Sequence, residues 1–311
     1  MPSTNLVVNT KAQPVEYALR TPDRWLQQAV NHLEEANDAP GDNTDYNGPD
    51  IDLEDMSIWK DFPTAQDIQS QLSAATREKL RCAFTQQQLD KLTWGNPEFR
   101  LNINEQCFER AWSSVADGIN LVLRIVAESE CDKKDAQYVV IGDGDVAKRK
   151  VPEYSDAIKR KKVDYASHEY ISREQYKVTD PNCIPNRIPG DAKIFRKIRH
   201  SMLPPHGTEF IGNPVVQFEA RKVLKQIYNY MDQHEARYGY VVNNEEIVFF
   251  RREPYYWGRM LISPPIKHKV EADLEKGILN SKYVLFYFLH VIAMDEEKWR
   301  LPSCFKSVPT C

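Results

Sequence analysis

Apolar residues that recur every three or four positions predict helices in four parts of the chain. The broadest stripe covers residues 104–128, where Asn104 is suited to cap the helix, and another covers residues 214–231. A weaker stripe predicts a helix over residues 64–92. Residues 281–294 are apolar nearly all round, which predicts a buried helix rather than an amphipathic surface helix.

Short segments rich in β-branched and aromatic residues predict strands between these helices. They are residues 137–141, 163–171, 191–199, 237–242, 246–251 and 257–262. The order after residue 104 is therefore a helix, three strands, a helix, further strands and a final helix. This order predicts an α/β fold in which helices flank a mixed sheet.

The first 65 residues differ in composition from the rest of the chain. Between Trp25 and Trp59 there is no lysine or arginine, while nine acidic residues occur. Acidic sequence rich in turn-forming residues predicts a flexible leader. The predicted organisation is an acidic leader over residues 1–65, a helical extension over 66–100, a main domain over 101–302 and a tail over 303–311.

Charge and cysteine content exclude several classes of protein. The net charge is −4, the six cysteines include no Cys-x-x-Cys pair, and the seven histidines form no cluster, so a structural zinc site is not expected. No apolar run approaches the ~20 residues of a membrane span, and the N-terminus lacks a signal-peptide pattern. We expect a nuclear or cytoplasmic protein that is not secreted and does not bind membranes.

Candidate chemistry is concentrated just after the pair Pro189-Gly190. This pair predicts a turn, because proline fixes φ and glycine tolerates positive φ. If a strand follows, Asp191 and Lys193 point to the same side, since alternate residues of a strand share a face. A carboxylate that binds a metal, beside a cation that holds a water, is suited to phosphodiester hydrolysis.

Other elements can supply partners for this pair. The preceding predicted strand carries Asp164, which a meander would bring to the same edge of the sheet as Asp191. Gln226 on the following helix could orient a water, and Glu105 could enter from the first turn of the preceding helix. Complementing the helix dipole is the competing explanation for Glu105.

Several short motifs occur in one order along the main domain. They are Asn104-Glu105 with Trp112, Pro152-Glu153-Tyr154, Val163-Asp164-Tyr165, Pro189-Gly190-Asp191-Ala192-Lys193, a helix with Gln226, Ala236-Arg237-Tyr238-Gly239-Tyr240, Arg251, and an apolar run before Trp299. In this order they resemble the PD-(D/E)XK nuclease superfamily, and more closely its nuclease-like branch in filamentous ascomycetes. The resemblance covers residues 104–301 and implies a restriction-endonuclease-like core with an N-terminal helical extension.

The resemblance also implies roles for individual residues. Asp164, Asp191 and Lys193 would form the metal-binding and catalytic set, with Gln226 in support and Glu105 as a further metal ligand. The implied cofactor is Mg²⁺ or Mn²⁺, bound by hard oxygen ligands. Val163 stands where the superfamily has its characteristic proline, which leaves Glu153 as a competing first acid; the strand-like surroundings of Asp164 favour Asp164.

A basic region lies between the first two predicted strands of the main domain. Its cations are Lys148, Arg149, Lys150, Lys159, Arg160, Lys161 and Lys162. They could line a groove for the phosphate backbone of a nucleic acid, form a bipartite nuclear import signal, or belong to a solvated loop. The first two interpretations are compatible with each other.

The resemblance, together with the residues that carry it, implies two functions from different classes. The favoured one is a Mg²⁺-dependent nuclease that hydrolyses phosphodiester bonds of DNA. The alternative is a catalytically silent protein of the same fold, either a nucleic-acid-binding protein or an accessory protein associated with a fungal secondary-metabolite gene cluster. The alternative stays open because a fold alone does not fix a function. The presence of both acids and the lysine favours catalysis.

Overall fold

A mixed sheet with helices on both faces forms the body of the protein. The structure is a computed structural model. It describes residues 13–22, 55–85, 88, 105–130, 136–144, 164–171, 179, 184–193, 198–204, 206–207, 211–212, 214–254, 256 and 258–301. Within these residues the predicted class, α/β with a mixed sheet flanked by helices, is confirmed.

The described residues contain nine strands and seven α-helices. The strands are β1 (Asp55–Ile58), β2 (Val139–Asp143), β3 (Tyr165–Glu169), β4 (Gly190–Ala192), β5 (His206–Gly207), β6 (Tyr238–Val242), β7 (Glu246–Arg252), β8 (Arg259–Ile262) and β9 (Ile266–Lys267). The helices are α1 (Tyr17–Arg20), α2 (Ala65–Gln71), α3 (Ala74–Arg81), α4 (Glu105–Glu130), α5 (Pro214–Gln233), α6 (Ser281–Tyr287) and α7 (Glu296–Trp299). A 3₁₀ turn spans His200–Met202, and α6 continues as a π-helix over Phe288–Ile292.

Eight strands follow one another across the sheet in the order β2-β3-β4-β6-β7-β8-β1-β5, and β9 pairs with β7. The pairs β4–β6 and β8–β1 are parallel, and the others are antiparallel. Between β4 and its parallel neighbour β6 the chain passes through the 3₁₀ turn, through β5 at the far edge of the sheet and through α5.

The two faces of the sheet pack against different helices. On β6, Tyr240 belongs to the core cluster that includes α4 and α6, while its neighbour Val241 belongs to the cluster that includes α5. Because side chains alternate along a strand, this division also separates Ala192, which lies in the α4 cluster, from its neighbours Asp191 and Lys193. Those two side chains therefore project toward the α5 side of β4.

The main helices and the β6–β7 hairpin agree with their predicted positions, but two predicted elements are shorter. The helix predicted over residues 64–92 is interrupted at Leu72, which is extended, and Ser73 starts a new helix by accepting a hydrogen bond from Thr76 N at 2.9 Å. The strand predicted over residues 191–199 ends at Ala192, and Ile198 lies outside any strand, where its carbonyl accepts from the Asn243 amide.

Two stretches of the predicted leader are folded, which corrects the expectation of weak order for them. Strand β1 lies between β8 and β5, and Trp59, just after it, is buried and stacks on Tyr238 with ring centroids 5.5 Å apart. Helix α1 docks on the other side, where the Asn280 amide donates to the carbonyls of Leu19 and Arg20. Residues 23–54, which hold most of the acidic segment, lie outside the described residues.

The apolar segment before the C-terminus forms the predicted buried helix. Every residue of α6 is buried, and Phe288 in the following π-helix stacks on Phe249 of β7 with ring centroids 4.4 Å apart. None of the described helices combines the length and the apolar character needed to cross a membrane.

Candidate active site

The loop before β4 is held tightly against β3, and this contact fixes the register of the candidate site. The side chain of Asn186 takes the place of a neighbouring strand beside β3. Its oxygen accepts a hydrogen bond from Ser167 N at 2.9 Å, and its amide donates to the Tyr165 carbonyl. Arg187 continues the attachment, with its backbone N donating to Ser167 O at 2.7 Å and its guanidinium paired with Glu169 at 2.8 Å. The sequence patterns did not indicate these contacts.

Antiparallel pairing of β3 with β4 brings the two predicted acids together. Asp164 precedes Tyr165, whose register partner is Gly190, so Asp164 lies beside the residues that follow Gly190. Its Oδ2 accepts a hydrogen bond from the backbone N of Ala192 at 2.8 Å. Asp164 therefore both closes the end of the β3–β4 pair and contributes a carboxylate to the site.

Lys193 lies between these carboxylates. Its Nζ is 2.9 Å from Asp191 Oδ1 and 3.7 Å from Asp164 Oδ2. The sum of these two distances places the two oxygens no more than 6.6 Å apart. The lysine and Asp191 are buried, whereas the Asp164 side chain keeps 23% of its surface exposed, so solvent reaches the group from the Asp164 side.

Asp191 is an unusual carboxyl group because it is fully buried and only one of its oxygens is paired. Oδ1 accepts from Lys193, while the buried Oδ2 has no hydrogen-bond donor among the described residues. Burial raises the pKa of Asp191 well above its usual range. The Lys193 charge opposes this shift, whereas the charge of Asp164 and a hydrogen bond to Asp164, which needs a proton on one of the two acids, add to it. A buried, unpaired oxygen beside a second carboxylate is suited to receive a cation or to share a proton.

Helix α5 contributes a tyrosine and the predicted glutamine to the other side of the group. Tyr230 is buried, and burial together with the nearby negative charge of Asp191 raises the pKa of its hydroxyl above the usual range, so the hydroxyl stays neutral. Gln226 Nε2 donates to the Tyr230 hydroxyl oxygen at 2.7 Å. Gln226 therefore adjoins the acids through Tyr230. No motif pointed to Tyr230, although its spacing of four residues from Gln226, one helical turn on the same face, was a signal in the sequence.

Close packing, rather than a positive φ, explains the glycine before Asp191. Gly190 lies in β4 outside the left-handed region, which corrects the prediction of a turn at this position. A Cβ on Gly190 would lie 2.1 Å from Cζ of Tyr240, its register partner on β6. Only glycine lets the Tyr240 ring cross β4 at this point, and that crossing fixes β4 beside β6.

The described donors suit a hard divalent cation in part. Asp191 Oδ2 and the Asp164 carboxylate are oxygen ligands of the kind that Mg²⁺ and Mn²⁺ prefer, and Mg²⁺ usually keeps several waters. Glu105 is the first residue of α4, which packs against β4, but its side chain lies outside the described residues. Within the described part of the chain, no three His, Cys, Asp or Glu side chains are grouped as a metal site.

The predicted nucleic-acid-binding cations lie outside the described residues. They are Lys148, Arg149, Lys150, Lys159, Arg160, Lys161 and Lys162. Glu153, the competing first acid, also lies there, so the preference for Asp164 stays a prediction that rests on the geometry of Asp164 itself.

Comparisons with protein-family models, with curated proteins and with solved structures yield no significant match to this chain. The functional conclusion therefore rests on the geometry of Asp164, Asp191 and Lys193.

Proposed function

We propose that this protein is a metal-dependent phosphodiesterase that cleaves DNA and has a restriction-endonuclease-like core. The observation that carries the proposal is the buried, unpaired Oδ2 of Asp191 beside the Asp164 carboxylate, with the Lys193 ammonium 2.9 Å from the other Asp191 oxygen. Two acids and a lysine on neighbouring strands supply the oxygen ligands and the positive charge that phosphodiester hydrolysis needs.

The connectivity around the site supports the same proposal. Helix α4 precedes a three-strand antiparallel meander, and α5 then leads to β6, which pairs with β4 in parallel. Asp164 thus immediately precedes β3 and Asp191 lies in β4, with a helix before and a helix after these two strands. This is the arrangement that the resemblance to the PD-(D/E)XK superfamily leads us to expect.

Asp164 and Asp191 would hold Mg²⁺ or Mn²⁺, and we assign Glu105 as a third ligand from the start of α4. Such a cation would supply Lewis-acid stabilisation of the phosphoryl oxygens and lower the pKa of a bound water.

The protein's own side chains would position the reactants. Lys193 would donate to an attacking water or to a phosphoryl oxygen, because its ammonium carries N–H donors and lies 2.9 Å from Asp191 Oδ1 and 3.7 Å from Asp164 Oδ2, the acids that would hold the metal. Tyr230 stays neutral near Asp191, and Gln226 donates to its hydroxyl oxygen, so this polar group is held in place beside the acids. Burial of Asp191 and Lys193 excludes bulk water, which strengthens each of these interactions.

A second function is favoured by the direct contact between Lys193 and Asp191. A buried ion pair at 2.9 Å is also what a purely structural pair would form. On that basis the protein would be a catalytically silent member of the same fold that binds nucleic acid or serves as an accessory protein.

A cleavage assay separates the two functions. The purified protein is incubated with Mg²⁺ or Mn²⁺ and with linear, circular or single-stranded DNA, beside the isosteric variant Asp191→Asn. The matched control is Asp295→Asn, since Asp295 caps α7 at the surface and asparagine caps equally well. We expect cleavage by the wild type and by Asp295→Asn but not by Asp191→Asn.

Equal cleavage by Asp191→Asn would identify a contaminating nuclease and remove the catalytic assignment. Absence of cleavage by a folded wild-type protein on all three substrates would favour the silent fold.

A further inference from the structure

One row of side chains on α5 runs from the protein surface to the candidate active site. Phe218, Lys222, Gln226 and Tyr230 are spaced four residues apart, so each lies one turn beyond the previous one along a ridge of the helix. We call these four residues the α5 row. Of these four residues, only Gln226 belongs to the motifs noted in the sequence.

Exposure falls steadily along the α5 row. Phe218 is 58% exposed, the Lys222 side chain is 30% exposed, Gln226 is half-buried and Tyr230 is 1% exposed beside Asp191. The α5 row therefore begins with an aromatic ring in solvent and ends with a buried tyrosine near the acids. It forms a path from the surface to the acids.

Adjacent members of the α5 row are in contact at both ends. The Lys222 ammonium lies 4.3 Å from the centroid of the Phe218 ring, and Gln226 donates to the Tyr230 hydroxyl at 2.7 Å. The cation–π contact orients the ring and the ammonium together at the surface. Glu219, 3.6 Å from Lys222, is a counter-ion that an incoming anion could replace.

The charge of the outer part of α5 suits an anionic partner. Between Phe218 and Gln226 the helix carries Arg221, Lys222 and Lys225 against the single acid Glu219, although the whole chain has a net charge of −4. Eight residues of helix separate Phe218 from Gln226, which is about 12 Å along the axis. At a rise of about 3.4 Å per nucleotide, that length matches three or four nucleotides of one strand.

We propose that the α5 row is a binding track for single-stranded nucleic acid, with a base stacked on Phe218 and a phosphate on Lys222. The strand continues past Gln226 toward Asp164 and Asp191. An exposed aromatic ring that alternates with cations is the usual surface for single strands, because every base offers a π-face and every nucleotide a phosphate. The inference deepens the proposed nuclease function by naming where its substrate strand lies, and it rests on that function.

The test is a binding measurement that needs no cleavage. A fluorescein-labelled oligothymidylate is titrated with the full chain in the presence of EDTA, and anisotropy gives Kd at several salt concentrations. We expect Phe218→Ala to weaken binding about tenfold, since stacking is worth roughly 1–3 kcal/mol per base. Lys222→Ala should weaken binding and reduce the slope of log K against log salt by about 0.7, the loss of one phosphate contact, whereas Phe218→Ala should leave the slope unchanged.

Two matched controls lie off the α5 row. Tyr256→Ala removes an aromatic residue that is 52% exposed. The Arg259 guanidinium lies 4.5 Å from the centroid of the Tyr256 ring, a cation–π contact similar to that between Lys222 and Phe218. Lys276→Ala removes an exposed lysine paired with the acid three residues before it, as Lys222 is paired with Glu219. Wild-type affinity in both controls supports the track.

The inference is overturned if the wild type does not bind, if the controls weaken binding as much as the row variants, or if both row variants bind like the wild type. Asp191→Asn keeps this result separate from the nuclease proposal. Row-dependent binding with no cleavage by the wild type would reject the nuclease and retain the track. Cleavage that requires Asp191, with binding that ignores Phe218 and Lys222, would reject the track and retain the nuclease.

Discussion

Replacing Lys193 with methionine removes the cation that lies 2.9 Å from the buried carboxylate of Asp191. The group formed by Asp164, Asp191 and Lys193 then changes from a net charge of −1 to −2 when both acids are ionised. Removing one partner of a buried ion pair costs about 3–5 kcal/mol, because the remaining charge stays desolvated. Methionine has a similar length, so packing contributes little to this cost.

The cost should depend on pH in a defined direction. Burial and the charge of Asp164 already raise the pKa of Asp191 in the folded protein, and loss of the lysine charge removes the opposing effect. In the unfolded chain the aspartate has its ordinary pKa of about 3.9. Above that value the folded state holds the proton more tightly than the unfolded state, so stability falls as pH rises toward the folded pKa. We therefore expect Lys193→Met to approach wild-type stability near pH 4 and to lose stability as pH increases.

Urea denaturation followed by circular dichroism at a series of pH values measures this effect. Lys298→Met is the matched control, because Lys298 pairs with Asp295 at 3.3 Å on the surface, where such pairs contribute about 0–1 kcal/mol. The double variant Lys193→Met/Asp191→Asn should recover most of the lost stability, since the buried charge is gone. A cost for Lys193→Met that is independent of pH, or a double variant no more stable than the single one, would contradict a buried charge on Asp191 as the cause.

Two further predictions concern the same strands. At a Mg²⁺ concentration about 100 times Kd, the free energy of unfolding of the wild type should rise by about 2.7 kcal/mol. Asp191→Asn should lose most of this gain. Equal gains for the two proteins in a thermal-shift assay would contradict the metal site. Gly190→Ala should destabilise by about 1–3 kcal/mol through the clash with Tyr240, while Gly118→Ala, whose Cβ meets nothing within 4 Å in α4, should stabilise by about 0.5–1 kcal/mol. The midpoints of urea denaturation measure both changes in stability, and an unchanged midpoint for Gly190→Ala would contradict the close packing of Gly190 against Tyr240.

Elements with a strong local pattern could be predicted from the sequence. The apolar stripe predicted over residues 104–128 became α4 (Glu105–Glu130), and the pattern from Pro214 became α5 (Pro214–Gln233). The turn residues Asn243 and Asn244 predicted the β6–β7 hairpin, where Asn243 Oδ1 accepts from Glu245 N and Glu246 N. These features depend on neighbours a few residues apart, so periodicity and turn chemistry capture them.

Features that depend on distant partners could not be predicted in this way. Strand β1 is four residues at the end of an acidic segment, and it joins the sheet because β8, some 200 residues later, offers a parallel edge. Tyr230 adjoins the acids because α5, which follows β5 and leads into β6, packs over the sheet beside β4, and no local pattern encodes this placement. Gly190 is explained by a tyrosine fifty residues away in sequence.

The charge balance of the site is the reason why we prefer the proposed metal site to a purely structural ion pair. A structural pair needs one acid for one lysine, and Asp191 with Lys193 meets that need at 2.9 Å. Asp164 adds a second negative charge beside this pair and so raises the pKa of Asp191, which opposes folding wherever both acids are ionised. Its hydrogen bond from Ala192 N could be made by a neutral asparagine oxygen. A divalent cation held by the two carboxylates would turn this excess negative charge into binding energy, and for this reason we prefer the proposed metal site to a purely structural ion pair.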